Sequence, residues 1–345
     1  MSFTSVEYWL QRKWLLAAIL ALLVPLLSLL YFFSKLNQPM PISNENIVFE
    51  VEPGSSLTRV ANELEAQGLI DSPWILTLYA RFQGNASSIQ SGEYELSAGI
   101  TPAGFLNEMV TGNTLQYRVT LVEGWTLEQA VNELWSNANI RRALNSSAVD
   151  SVAEQLELDY GSAEGLFYPD TYFFTKGATD SDILRRANQR LKEVLAEAWD
   201  RRLGALPYND AYEALIMASI IEKESAVGSE RGHIAGVFVR RLEQGMRLQS
   251  DPTVIYGMGE NYDGDIRRAD LLEETAYNTY RINGLPPTPI AMAGVDSINA
   301  SLNPLPSEYL YFVARGDGSH YFSSSLEEHN AAVSRFQLQQ QTPSQ

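Results

Sequence analysis

The feature that most constrains this chain is an apolar run near its N-terminus. Residues Trp14 to Phe33 read WLLAAILALLVPLLSLLYFF, twenty positions without a charged side chain. At about 1.5 Å of rise per residue, a helix of that length spans the ~30 Å hydrocarbon core of a bilayer. A helix that is apolar on every face is unusual inside a globular domain. The run therefore predicts a single transmembrane helix over residues 14–33.

The charges beside this run predict its orientation. Arg12 and Lys13 precede the run, and Lys35 follows it. Basic residues favour the cytoplasmic side of a membrane, so we expect residues 1–13 to be cytoplasmic. No A-x-A cleavage pattern follows, which favours an uncleaved anchor over a removed signal peptide. Residues 34–345 are therefore expected outside the cytoplasm.

Length and charge limit the function classes. The chain has 345 residues, enough for about two domains, and carries 25 basic and 42 acidic side chains, a net charge of −17. Nucleic-acid binding needs clusters of Lys and Arg, so this balance argues against a nucleic-acid partner. The absence of cysteine excludes thiolate metal sites. His233, His320 and His329 lack H-E-x-x-H spacing, and we expect neither a metal nor a cofactor.

A small domain is expected directly after the anchor. Residues 34–46 are polar and proline-bearing, which is typical of a linker, and residues 47–112 follow as a compact unit. After an alternating stretch that predicts a strand, Ser55 or Ser56 can cap a helix, and Gly68 can end it. A second helix, from about Trp74 to Phe82, precedes another strand.

This order of strand, helix, helix and strand resembles a LysM-like carbohydrate-binding module. Many small α/β units share the pattern. Sugar binding and a merely positioning role are therefore both open.

Residues 113–345 are predicted to form a larger, mixed α/β (α+β) domain around one apolar helix. Asp210, followed three residues later by Glu213, has the spacing of a capping box, and Gly228 is the expected stop. The residues between are almost all apolar, so the helix should be central. A second helix is expected from an N-cap at Ser229 to Gly245.

Two glutamates lie near the end of the central helix. Glu224 is on helical spacing with apolar residues, a setting that raises a carboxyl pKa toward neutrality and suits a general acid. Glu222 lies about 200° around the helix, so both cannot face one cleft. Alternatively, both glutamates pair with arginines, for example Arg231 or Arg240. Periodicity alone leaves these two interpretations open.

Polar and aromatic side chains on later turns suit the binding of sugar hydroxyl and N-acetyl groups. The candidates for substrate binding are Gln249, Asp251, Thr253, Tyr256, Tyr277, Asn278 and Tyr280. Each type also occurs in ordinary turns. Together, beside a buried glutamate, they indicate a sugar cleft.

Five stretches in order carry a family resemblance. They read SIIEKES, SERGHIAGVFVRRLEQGMRLQSDPTVIYGMG, AYNTYRINGLPPTPIA, YLYFVARGDGSHYFS and EEHN. From about Ile47 to Phe336, the chain resembles the endolytic murein transglycosylases (MltG, YceG-like). The resemblance maps the catalytic glutamate onto Glu224 and leaves Glu222 a structural role.

The resemblance further implies a bacterial inner-membrane protein with a periplasmic catalytic domain. It would cleave MurNAc-GlcNAc β-1,4 bonds within nascent peptidoglycan strands, leave 1,6-anhydro-MurNAc ends and so terminate strand elongation. Peptidoglycan synthases (penicillin-binding proteins) would be its partners. Two alternatives stay open: a hydrolase that uses Glu224 with Asp251, and a non-catalytic peptidoglycan-binding scaffold.

Overall fold

The computed structural model describes residues 4–43, 45–225 and 227–338. The chain divides into a small unit, Met1–Tyr117, and a larger unit, Arg118–Gln345. The division falls a few residues beyond the boundary expected from the sequence. Helices and small sheets make up both units, so the predicted mixed α/β class is confirmed.

The small unit begins with a long apolar helix. Its elements are α1 (Thr4–Asn37), β1 (Ile47–Val51), α2 (Leu57–Ala66), α3 (Pro73–Phe82), β2 (Gly92–Leu96) and α4 (Pro102–Thr111). The part of α1 from Arg12 to Asn37 is long and apolar enough to cross a membrane, and its most apolar stretch is not buried in protein. This agrees with the transmembrane helix predicted from the sequence.

After α1, the expected order of strand, helix, helix and strand is confirmed. β1 and β2 pair antiparallel, with Phe49 opposite Tyr94, and both of these rings lie in the core. The Ser56 side chain caps α2 by accepting a hydrogen bond from the Arg59 backbone N–H. Gly68 follows α2 with a φ of +71°, the left-handed conformation that glycine adopts without strain.

The larger unit is mainly helical. Its elements are β3 (Tyr117–Thr120, at the boundary), α5 (Leu127–Ser136), α6 (Val149–Leu156), β4 (Thr171–Phe174), α7 (Asp180–Asp200), α8 (Ala211–Glu224), α9 (Arg231–Glu243), α10 (Asp251–Met258), α11 (Val295–Leu302), β5 (Tyr311–Ala314), β6 (His320–Ser323) and α12 (Leu326–Val333). β3 pairs with β4, and β5 pairs antiparallel with β6.

Helix α8 is the centre of this unit, as its sequence predicts. All residues from Ala214 to Ile221 are buried, and α7, α9, α10 and α11 pack around the helix. The Asp210 side chain caps its first turn by accepting from the Glu213 N–H. An apolar helix enclosed in this way positions its last turn rigidly, and that turn carries both glutamates.

The end of α8 differs from the sequence prediction. The helix ends at Glu224 rather than near Gly228, because Ser225 has an extended backbone and its hydroxyl accepts a hydrogen bond from the Val227 N–H. Serine side chains that bond the backbone in this way compete with helix. A short 3₁₀ turn, Gly228–Glu230, then leads into α9, so the predicted N-cap at Ser229 is also wrong.

Candidate active site

The two glutamates of α8 face different surroundings. The Glu222 carboxylate accepts from the Arg231 guanidinium at 2.8 Å and from the Gly294 N–H at 3.0 Å. The side chains of Glu222 and Arg231 are only 5% and 11% exposed. This carboxylate therefore ties the end of α8 to α9 and to the start of α11. The arginine pairing considered for both glutamates is found for Glu222.

Glu224 has no such ion pair within the described ranges. Its Oε1 accepts a short hydrogen bond, 2.5 Å, from the Ser250 hydroxyl. Glu224 is partly exposed and forms part of the wall of a cleft of about 540 Å³. One carboxyl oxygen is thus fixed by a neutral donor.

The surroundings of Glu224 place its pKa in the neutral range. Burial is the largest influence and raises the pKa to about 7, and the nearby Asp251 carboxylate also raises it. The hydrogen bond from Ser250 and the charge of Arg241 act in the opposite direction. A carboxyl of this kind can both give and take a proton near pH 7.

Ser250 is itself held by buried threonines. Its backbone N–H donates to the Thr279 hydroxyl at 2.9 Å, and its carbonyl accepts from the Thr253 hydroxyl at 2.7 Å. The two threonine hydroxyls are 2.8 Å apart. Gln249, directly before Ser250, has a φ of +55°, an uncommon conformation for a residue with a side chain. The turn is therefore well defined and aims the Ser250 hydroxyl at Glu224.

The wall of the cleft combines a cation with aromatic rings. The Arg241 guanidinium donates to three backbone carbonyls and to the Gln249 amide oxygen, and lies 5.1 Å from the centre of the Tyr311 ring. The His329 ring stacks on Tyr311, and burial followed by the charge of Arg241 lowers the pKa of that histidine. Rings of this kind offer flat apolar faces to a sugar.

The structure brings together three of the seven predicted substrate-binding residues. Gln249, Asp251 and Tyr280 line the cleft with Glu224, and the Tyr280 hydroxyl donates to Asp251 at 2.6 Å.

The other four lie elsewhere. Thr253 and Asn278 are fully buried, Tyr277 bonds Thr288, and Tyr256 bonds Glu164. These four side chains support the fold around the cleft instead of lining it.

Sequence reasoning did not select Arg241, Tyr311, His329 or Asn330, which also line the cleft. Arg241 lies on α9 next to Arg240, for which the sequence suggests only an ion pair. The other three belong to the YLYFVARGDGSHYFS and EEHN stretches. Those stretches are more than 80 residues from Glu224 in sequence, and only the fold brings them to it.

A second buried carboxyl lies outside the cleft. Glu164 is 2% exposed and accepts from the Leu127 and Gly165 backbone N–H groups and from the Tyr256 hydroxyl. Burial raises its pKa to about 7, against the lowering effect of these bonds. Its pKa resembles that of Glu224, but its carboxyl holds several parts of the chain together.

One neutral-range carboxyl on the wall of a cleft lined by aromatic, amide and guanidinium groups is the arrangement of an enzyme that cleaves glycans by acid catalysis. The comparisons with known proteins give a particular family. The YceG-like family model matches residues 49–335, and the chain belongs to that family. The resemblance seen in the sequence is therefore confirmed.

Relatives and a solved structure agree with this assignment. An endolytic murein transglycosylase of Bacillus subtilis is 29% identical over 311 residues, 85% of this chain and 86% of the relative. One from Streptococcus pneumoniae is 27% identical over 84% of this chain, which spans only 58% of that relative. The crystal structure of a yceG-like protein from Listeria monocytogenes superposes with a TM-score of 0.52 at 32% identity, covering 84% of this chain and 99% of that one.

Proposed function

We propose that this chain is an endolytic murein transglycosylase with Glu224 as its catalytic acid and base. One observation carries the proposal: a carboxyl whose pKa is about 7 lies on the wall of a cleft and is fixed by a single neutral donor, Ser250. Membership of the YceG-like family and the names of its relatives support the substrate and the reaction class.

The reaction that this proposal implies uses Glu224 twice. Protonated Glu224 gives its proton to the oxygen of a MurNAc-GlcNAc β-1,4 bond, and the bond from that oxygen to C1 of MurNAc breaks. The positive charge at C1 is met by the N-acetyl group of the same sugar. Glu224, now a carboxylate, takes the proton of the C6 hydroxyl while the C6 oxygen bonds to C1. The product is a 1,6-anhydro-MurNAc end, and no water is consumed.

One carboxyl is sufficient for this sequence of steps. Glycosidases that use two carboxylates place them ~5–5.5 Å or ~6.5–9.5 Å apart, because the second acts as nucleophile or as base for water. Here the substrate supplies both the internal nucleophile and the group that meets the charge. Ser250 keeps one oxygen of Glu224 in place through both proton transfers.

The position of Asp251 supports a second candidate reaction, hydrolysis. This residue lines the same cleft as Glu224 and is exposed there, bonded only by Tyr280 among the described residues. A hydrolase could use such a carboxylate to activate water. The two reactions differ in their products, since a hydrolase leaves a reducing sugar.

The location and partners follow from the same proposal. With α1 as a single-pass anchor in the inner membrane and the N-terminus in the cytoplasm, the larger unit would act in the periplasm on nascent glycan strands. Cutting within a growing strand ends its elongation, so peptidoglycan synthases (penicillin-binding proteins) are the expected partners. The small unit is proposed to be LysM-like, on the order and antiparallel pairing of β1 and β2.

The test is mass spectrometry of uncrosslinked glycan strands incubated with the full chain in detergent. Ends that are one water lighter than a reducing sugar, absent with Glu224→Gln and retained with Asp251→Asn, are the expected result. Reducing ends that disappear with Asp251→Asn would instead establish the hydrolase. Binding without cleavage by the unmodified chain would mean a scaffold.

A further inference from the structure

An apolar stripe on the outer face of α3 has no role in the reaction. Trp74, Leu78 and Phe82 recur every four residues, which places them on one side of the helix. Trp74 is 56% exposed and Leu78 is partly exposed. At 80%, Phe82 is the most exposed large apolar side chain in the described part of the chain.

The opposite face of α3 packs into the core of the small unit. Ile75, Leu76 and Ala80 are buried there among residues of α2, α4 and the sheet. The stripe is therefore not needed to hold α3 in place. Exposed aromatic side chains in a row commonly mark an interaction surface.

The small unit is joined rigidly to the end of the apolar helix α1. Leu36, in the last turn of α1, and Met40, just beyond it, are buried in the core of the small unit. Lys35 forms an ion pair of 2.6 Å with Asp71, two residues before α3 begins. The start of α3 is thus fixed beside the point where the apolar run ends.

Trp74, the first residue of the stripe, also lies close to α1. Its ring lies 6.5 Å from the ring of Phe32, which is in the last turn of the apolar run. In a membrane protein, the residues at that level meet the boundary between hydrocarbon and headgroups, where Trp is enriched. Trp74 would therefore lie at the depth that suits its side chain.

The charges of α3 also suit a membrane surface. In a chain with a net charge of −17, the ten residues of α3 include no acidic side chain, and Arg81 is exposed next to Phe82. A basic residue beside an apolar row is attracted by anionic lipid headgroups. An apolar row with a basic residue at its end is typical of helices that lie in the membrane interface.

We propose that α3 lies in the surface of the bilayer that α1 spans, with Trp74, Leu78 and Phe82 inserted among the lipids. The inference rests on the proposed membrane anchor and goes beyond it. The small unit would then be held at the membrane by two attachments, and its contact with lipid would limit rotation about α1.

The absence of native cysteine allows a direct test with single-cysteine variants. The full chain is reconstituted into vesicles of phosphatidylethanolamine and phosphatidylglycerol, and Phe82→Cys carries an environment-sensitive fluorophore. Spin-labelled lipids quench a fluorophore that lies among them. Val48→Cys is the matched control, since Val48 is also exposed and apolar but lies on the face of β1 that points away from the core.

Leu23→Cys, within α1, reports on the anchor itself. The proposal predicts blue-shifted emission and loss of most fluorescence to quenching at positions 82 and 23, with little change at position 48. Quenching at 23 but not at 82 would overturn the proposal and leave the anchor standing. Without quenching at position 23, both the anchor and the proposal fail.

Discussion

Glu222 and Glu224 are two residues apart in the last turn of α8, and their surroundings differ in kind. Glu222 is ion-paired with Arg231 and bonded to the Gly294 N–H, whereas Glu224 is bonded to a serine hydroxyl and faces a cleft. The carboxylate of Glu222 is thus occupied by two donors. A neutral donor leaves the carboxyl of Glu224 able to exchange a proton.

Glu164 shows that a raised pKa alone does not mark a catalytic group. Burial places the pKa of both Glu164 and Glu224 at about 7. Glu164, however, is bonded by two backbone N–H groups and by Tyr256, and is 2% exposed. Glu164 also lines a pocket, of about 680 Å³, so a pocket does not distinguish the two carboxyls either. They differ in their bonding, because three donors occupy the carboxyl of Glu164 and one donor contacts that of Glu224.

The largest effect is expected for Glu224→Gln. The amide oxygen can still accept the hydrogen bond from Ser250, so the fold should be kept, but the side chain cannot transfer a proton. Loss of a general acid and base lowers the turnover by roughly 10³-fold. Strand cleavage and thermal unfolding measured on the same sample check both parts. Near-full activity in this variant would refute the catalytic assignment.

Glu222→Gln should show the reverse pattern. Arg231 would keep its charge with only 11% of its side chain exposed, and breaking a buried pair from one side costs about 3–5 kcal/mol of unfolding free energy. The kcat of the folded protein should be unchanged. Denaturant unfolding and kcat are measured in parallel.

The double variant Glu222→Gln, Arg231→Gln is the control, because removing both charges should recover part of the lost stability. A fall in kcat without loss of stability in the single variant would mean that Glu222 takes part in the reaction.

Glu164 and Glu224 should both contribute to the pH dependence of stability, because the pKa of each is raised to about 7, and a variant of Glu164 isolates one of the two contributions. The pKa of Glu164 is about 7 in the folded protein and 4.5 as its ordinary value, so between these values the folded chain binds more protons than the unfolded chain. Stability should therefore decrease as the pH rises from about 4.5 through 7, by about 3 kcal/mol. Glu164→Gln removes this pH-dependent contribution, because a glutamine side chain does not titrate. The fold should be kept, since the glutamine Oε1 can accept from the two backbone N–H groups and its Nε2 can donate to the Tyr256 hydroxyl.

The measurement is the unfolding free energy of both proteins at pH 5 and pH 8. We expect the difference between the two pH values to be smaller in the variant, with similar stability at the lower pH. An equal difference in both proteins would show that Glu164 does not titrate between these two pH values in the folded protein.

Much of this arrangement could be predicted from the sequence because it depends on local patterns. The apolar helix α8, its cap at Asp210 and the opposite faces of Glu222 and Glu224 follow from helical periodicity. The early end of α8 could not be predicted in this way, because it depends on a hydrogen bond from the Val227 N–H to the Ser225 hydroxyl.

The wall of the cleft was predicted only in part for a different reason. Turn residues that look alike in sequence divide into those that face the cleft, such as Tyr280, and those that are buried beneath it, such as Asn278. Which side a turn presents is decided by packing between segments far apart in the chain. Tyr311 and His329 reach Glu224 by the same long-range packing.

The smallest expected effect concerns the contact between Ser250 and Glu224. The hydrogen bond from Ser250 lowers the pKa of Glu224, so Ser250→Ala should raise that pKa above its present value of about 7. Since the reaction needs protonated Glu224, kcat/KM should fall as the pH rises past this pKa. The descending limb of the profile should therefore move to higher pH by about one unit.

The turnover should also fall, by about tenfold, because the bond that orients the carboxyl is lost. Ser301→Ala is the matched control, since Ser301 is buried on α11 and its hydroxyl donates to the Ile298 carbonyl. That variant should leave the limb in place. If the descending limb also stayed near pH 7 in Ser250→Ala, the group that titrates in the reaction would not be the one that Ser250 contacts. The contrast drawn between Glu224 and the two buried carboxyls, Glu222 and Glu164, would then lose its chemical basis.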